Sequence, residues 1–399
     1  MSTPPASRTP RLTAVLREGE RVTSLELFFD LVFVLALTQC TALMAATPTW
    51  EGVLRALLIL GVLWWSWVGY AWLTSVVDPE EGSVRLVMFA AMAALLVAAL
   101  CVPGAFAGDA LLFACAYGVV RAAHIALFLL ASREDEALRR SVNGLAASTA
   151  LGVGLLVAAA FTSGGPQLAL WGLALLLDMG GPFFFGADGW KLVPGHFAER
   201  HGAIIIIALG ESIVAIGAGA NTAVDAGVVA AAVLGMVVAG ALWWLYFDVV
   251  AIVAERRLTK ASEGRERNEV ARDSYSYLHF PMVAGIALVA LGLKKTLGHV
   301  GDPLGLVPAA AMLGGAAVYL LAHIAFRWRN VRRFSRHRLL CAALLLALLL
   351  PEATLKPPSL ATLGSLAALL SLLIVYEATH YADLRDRIRH QLAREGVPT

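Results

Sequence analysis

Charge is scarce in this chain. Only 15% of its 399 residues are Asp, Glu, Lys or Arg, and its mean hydropathy is +0.74. A soluble globular protein needs roughly a quarter of its residues charged to cover its surface, so that class is excluded. Cysteine is nearly missing as well. Cys40, Cys101, Cys115 and Cys341 stand within or beside apolar runs, with no CxxC pair and no histidine spacing of the zinc type, and read as small core residues. The chain has no phosphate-binding glycine loop, dinucleotide fingerprint, zincin histidine pair or serine nucleophile elbow. ATP-driven pumping in cis is therefore excluded, and no enzymatic activity, cofactor, metal or nucleic-acid partner is expected. The residues before Leu25 are polar, basic and proline-containing, without the ordered regions of a secretory signal peptide, so the first apolar helix is expected to be retained.

What the chain does have is long apolar runs, about twelve of them, each near the roughly 20 residues that cross a 30 Å hydrocarbon core. They cover 25 to 46, 52 to 76, 84 to 103, 109 to 131, 141 to 161, 167 to 186, 201 to 220, 226 to 254, 273 to 295, 304 to 326, 336 to 351 and 360 to 381. The sixth is interrupted by Gly180, Gly181 and Pro182, and the eleventh is short. The spacing predicts an all-α polytopic membrane protein. Of the 31 Lys and Arg, all but Arg55, Arg121, Lys294, Lys295 and Lys356 fall on one side if the N-terminus is inside. By the positive-inside rule both termini are then expected to be cytoplasmic. Of these five, Arg121 alone is expected within a helix.

Polar residues carry an internal duplication. Ala123-His124-Ile125-Ala126 recurs as Ala322-His323-Ile324-Ala325 at an offset of 199, which also brings Arg133 onto Arg332, Arg139 onto Arg338 and Asp178 onto Glu377. Trp64-Trp65 answers to Trp243-Trp244 at an offset of 179, and the 20-residue difference is largely a longer basic loop between the eighth and ninth helices. Two six-helix halves follow. Six is even, so both halves enter the membrane from the same side as parallel repeats. The expected organisation is a cytoplasmic tail over 1–24, a first repeat over 25–186, a linker over 187–200, a second repeat over 201–382 and a cytoplasmic tail over 383–399.

Ionisable groups at membrane depth cost about 2.5–3.5 kcal/mol on insertion scales and are kept where they have a partner or a water-filled path. Glu26 and Asp30 share a face of the first helix as i and i+4. They read either as a cation- or proton-handling pair or as a headgroup-level Glu beside an Asp paired with a nearby Arg. In the fourth helix Arg121 and His124 face the same way, and Asp30, Asp178 and Glu211 are the anions available to the guanidinium. A structural salt bridge and a proton site are both open, and His124 recurs as His323. In the seventh helix Glu211 lies about 15 Å beyond His201 by helical rise, with Gly210 to admit a close neighbour and Ser212 to add a hydroxyl. Asp178 and Glu377 match each other. With Asp248, His124 and His323 they are expected toward one leaflet, in a polar cytoplasmic vestibule under a dry outer half.

The segments LELFFDLVFVLALTQ (Leu25 to Gln39) and ERHGAIIIIALGESIVAIG (Glu199 to Gly217) resemble the low temperature requirement protein A (LtrA) family of bacterial multipass membrane proteins. The resemblance runs over essentially the whole chain. It implies a membrane protein linked by name to growth in the cold, and it brings no catalytic residues with it. The first of the two segments is also similar to the opening helix of the endolysosomal potassium and proton channel family, but Phe29 replaces the Ser of that family's F-S-D motif. The reading that results is a channel- or transporter-like protein for a small cation, H⁺ before monovalent metal ions, in contact with the bilayer and open to homo-oligomer formation. The alternative is a sensor or scaffold without transport. A third reading, an intramembrane enzyme acting on lipid, rests only on His and acids at one depth.

Overall fold

The computed structural model describes residues 21–80, 82–184, 189–219 and 224–380. The expected tails lie mostly outside them. The helices, in chain order, are α1 (Ser24–Ala46), α2 (Trp50–Thr74), α3 (Gly82–Leu100), α4 (Ala110–Ala131), α5 (Glu136–Ala159), α6 (Gly164–Phe184), α7 (Pro194–Gly219), α8 (Ala226–Phe247), α9 (Val250–Lys260), α10 (Arg265–Val270), α11 (His279–Gly298), α12 (Leu306–Val331), α13 (Arg336–Ala347), α14 (Leu349–Thr354) and α15 (Ser359–His380). A π-helical segment, Ala271–Tyr277, joins α10 to α11. Among the described residues there is no strand, only an isolated bridge between Pro303 and Pro358.

Among the described residues, twelve helical spans are long and apolar enough to cross a membrane, with α8–α9, α10–α11 and α13–α14 each forming one. The protein is an all-α, polytopic membrane protein. Large apolar side chains stand exposed on it, among them Leu86, Leu176, Phe184, Val233 and Leu350, as a bilayer environment permits and water does not.

Several boundaries depart from the apolar runs. Helix α6 continues through Gly180, Gly181 and Pro182 to Phe184. Pro182 has no N–H to give the Asp178 carbonyl, but tight packing on α5 holds the helix, for a Cβ on Gly181 would come 2.6 Å from Ser148 Oγ. The eighth run breaks at Asp248–Val249, where Val249 leaves the helical region with φ −140°, and resumes as the basic α9. The ninth begins at the charged stretch RERNEV and passes through the π segment before it becomes apolar.

Two compact units make up the structure. One holds the residues up to Phe33 with Trp65–Phe197, the other Val34–Trp64 with the residues from Ala198 onward. In the second, α11 and α12 meet backbone to backbone, since a Cβ on either Gly285 or Gly315 would lie 2.6 Å from the other's carbonyl oxygen.

Candidate functional site

Helix α1 starts with a capping box that the sequence reading passed over, Thr23-Ser24-Leu25-Glu26. The Thr23 N–H donates to Glu26 Oε2 at 2.8 Å, and the Glu26 N–H donates to Thr23 Oγ1 at 3.3 Å. Glu26 is wholly buried and its other oxygen lies 2.8 Å from His196 Nε2 on α7. Asp30, one turn on, is buried too, and its Oδ1 accepts from Trp67 Nε1 at 2.8 Å. From one face of α1, Glu26 thus meets His196 and Asp30 meets Trp67.

Within the same unit Arg121 selects Asp178 from the anions expected for it. Its Nη2 donates to Asp178 Oδ1 at 2.8 Å and to Thr149 Oγ1 at 2.7 Å, and its Nη1 donates to the Trp65 carbonyl at 3.2 Å. Thr149 and Tyr117 hydroxyls also donate to the Asp178 carboxylate, at 2.8 and 2.5 Å. The side chains of Arg121 and Asp178 are 1% and 4% exposed, so α2, α4, α5 and α6 are tied by a closed ion pair in which both carboxylate oxygens are met, while Arg121 Nε is buried without a partner among the described residues. His124 lies beside it, its ring 5.5 Å from Tyr70 and pressed over Gly69, where a Cβ would meet the imidazole at 2.9 Å.

The second unit holds Glu211, His201, Ser212, Asp248, His323 and Glu377. Glu211, 2% exposed, takes a 2.5 Å hydrogen bond from the Thr38 hydroxyl on α1. Thr41 and Cys40 flank it on the same helix, and Lys294 on α11 is the cation whose charge reaches it. Ser212 is buried with its hydroxyl unbonded among the described residues. Beside Gly210 there is open space, with nothing among the described residues within 4 Å of the place its Cβ would occupy. About two turns beyond Glu211 on α7, Ala218 and Gly219 line a cleft of about 350 Å³ with Ala42, Lys294, Lys295 and His299.

His201 belongs to an imidazole and phenol array. Its ring centre lies 5.2 Å from Tyr275 and 5.1 Å from His279. His279 Nδ1 faces the Ser274 carbonyl at 3.1 Å and so carries the proton, leaving Nε2 to accept from the Tyr246 hydroxyl at 2.8 Å. The π segment presents Ser274 and Tyr275 to the array, and it leaves the Ser276 carbonyl to accept from Trp64 Nε1 at 2.9 Å. Beyond Tyr246, His323 Nδ1 accepts from Arg338 Nη1 at 2.7 Å, so the His323 proton sits on Nε2. Arg338 also grips Glu377 with two bonds of 2.8 Å and the Leu245 carbonyl with one of 3.2 Å.

Arg121 is thus not the lone buried guanidinium in a helix. Arg200 and Arg338 are buried as well. The expected vestibule also divides. Asp248 and Glu377 line a second cleft of about 520 Å³ at the ends of α8 and α12, with His323 behind Arg338, whereas Asp178 and His124 are shut in around Arg121.

The comparisons with known proteins bear on the family. Residues 21–375 match the model of the bacterial low temperature requirement A protein (LtrA). The chain belongs to the LtrA family. It is also similar to an uncharacterized protein of Rhizobium meliloti (strain 1021), 29% identical over 306 residues that cover 74% of each chain. No solved structure matches.

Proposed function

We propose that this LtrA-family chain is a channel- or transporter-like protein, not an enzyme, that moves a small cation through Glu211. The observation that carries the reading is the company each acid keeps. Asp178 and Glu377 are each closed by a guanidinium and Glu26 meets His196, whereas Glu211 meets hydroxyls. Hydroxyls donate to a carboxylate and accept from a carboxylic acid, so Thr38 serves Glu211 in both protonation states. The cleft lined by Lys294 and Lys295 opens about two turns along α7 from Glu211, and its positive lining disfavours entry of metal ions. H⁺, which travels along hydrogen bonds, is favoured over K⁺ and Na⁺ for that reason.

Two parallel six-helix halves remain our reading of the chain, with both termini in the cytoplasm. Its support is that matched acids, Asp178 and Glu377, each meet an Arg that also donates to a carbonyl of the second helix in its half, Trp65 or Leu245. The Arg comes from a different helix in each half, α4 against α13.

Purified protein in liposomes carrying a pH-sensitive dye tests the proposal. The expected result is H⁺ flux that falls by about tenfold or more in Glu211→Gln, as losing about 1.4 kcal/mol of barrier stabilisation would give. Flux equal to that of empty liposomes, or unchanged by the substitution, removes the proposal. The sensor or scaffold reading draws on the sealed Arg121–Asp178 and Arg338–Glu377 pairs, and it requires Glu211→Gln to keep a cold-growth phenotype intact.

A further inference from the structure

We infer that the cleft at the C-terminal ends of α1, α7 and α11 binds an oxyanion of the phosphate class, carried by a lipid headgroup or free in solution. It holds about 350 Å³, toward the lower end of the roughly 300–1,000 Å³ usual for small-molecule sites, and Ala42, Ala46, Ala218, Lys294, Lys295 and His299 line it within the second unit. The walls from α1 and α7 are small side chains, which leaves the volume open. Gly219 ends α7 against the α11 backbone, for a Cβ there would fall 2.8 Å from the Lys294 carbonyl oxygen and 2.9 Å from Leu297 Cβ. Beyond α11 the chain is pinned as well. The Ser359 hydroxyl donates to the His299 and Val300 carbonyls at 2.8 and 3.1 Å, and the Ser359 N–H donates to the Asp302 carbonyl at 2.8 Å. The basic side chains thus stand on a braced backbone, which lowers the ordering cost of binding.

The charge of the lining is of one sign. Lys294 and Lys295 supply it, and no carboxylate is among the lining residues. Both lysines are half-buried, yet among the described residues neither forms an ion pair, and Lys294 acts on Glu211 through its charge alone. Asp302 Oδ2 lies 3.6 Å from His299 Nδ1, which leaves Nε2 to a ligand. Helix C-termini bring carbonyls of negative partial charge to the same place, but donors already meet several of them. The Leu43 carbonyl accepts from the Thr47 N–H and hydroxyl at 3.1 and 3.0 Å, and the Thr296 carbonyl accepts from the His299 N–H at 3.1 Å. Two ammonium groups on successive residues repel each other, and a multivalent oxyanion held against both removes that repulsion. Phosphate has several acceptor oxygens for the three N–H donors of each ammonium, whereas chloride is a single acceptor that spans them poorly.

The test reads binding and is independent of any transport. The full-length protein is melted in neutral detergent in two titrations, one with sodium phosphate against sodium chloride at equal ionic strength, the other with dioleoyl phosphatidylglycerol against dioleoyl phosphatidylcholine. A saturable rise of several degrees in the melting temperature is expected in at least one titration. A rise with inorganic phosphate assigns a free anion, and a rise with phosphatidylglycerol alone assigns a lipid headgroup. Lys294→Gln and Lys295→Gln, made separately so that either serves if the other does not fold, are each expected to shift half-saturation by about tenfold or more, as losing one hydrogen bond to a charged group would. Lys260→Gln removes the same charge from an exposed position at the end of α9 and is expected to leave the titrations unchanged. No rise in either titration overturns the assignment. So does a rise that persists in the Lys294 and Lys295 variants, which would be the general salting effect of phosphate, or one that Lys260→Gln weakens equally.

Discussion

At the scale of single residues, burial without water makes every polar partner count. Asp178 accepts from Arg121, Thr149 and Tyr117. Removing its charge leaves a guanidinium 1% exposed with no anion, and breaking one side of a buried pair costs about 3–5 kcal/mol. Asp178→Asn should therefore lower the melting temperature in detergent far more than Glu136→Gln, whose side chain is exposed. If the two substitutions shift it equally, the closed pair contributes nothing. At the start of α5, Asp135 caps the helix through the Leu138 N–H, and that bond, then Lys191, holds its carboxyl below the usual range. A depressed folded-state value means its contribution is present above the unfolded pKa near 3.9 and is lost as the pH falls through the folded value. Asp135→Ala is expected to cost about 1 kcal/mol at pH 7, with the difference from wild type shrinking in acid below about pH 4 in paired melts. The acids of the site were legible in the sequence because carboxylates stand out in an apolar run. Their partners were not, since Trp67, Thr38, Tyr117 and Thr149 are residue types that membrane helices also use for packing, and nothing local marks the one that points at a carboxyl.

At the scale of elements, apolar length gave the twelve spans but not their internal breaks. Hydropathy registers α9 and α10 as loop because their residues are charged, although both are helical. It also says nothing of the π segment, which depends on where Ser274 and Tyr275 must face. Helix packing leaves a sharper mark, in glycine. Gly315 meets the Gly285 carbonyl so closely that a Cβ has no room, whereas Gly314 beside it has open space. Gly315→Ala should therefore cost about 1–3 kcal/mol through displaced backbone, and Gly314→Ala should be close to neutral. Chemical unfolding of the two variants in parallel checks this, and equal effects would show that α11 and α12 do not approach as described.

At the scale of the whole molecule, the duplication is proposed from polar residues, yet the sequence match of Arg139 with Arg338 misled on roles. Arg139 is exposed, whereas Arg338 is buried against Glu377, and the guanidinium that meets Asp178 is Arg121. Conserving an ion pair between halves needs only the charge at the site, and either neighbouring helix can deliver it. Sidedness is expected from counting cations. On the proposed organisation, an even number of spans in each half would put the segment around Lys191 on the same side as both termini, and Lys294, Lys295 and Lys356 on the other. A membrane-impermeant amine reagent applied to spheroplasts is therefore expected to modify Lys356, in the loop after α14, and to spare Lys191, with both modified after lysis and read by peptide mass spectrometry. Modification of Lys191 from outside would reverse the orientation.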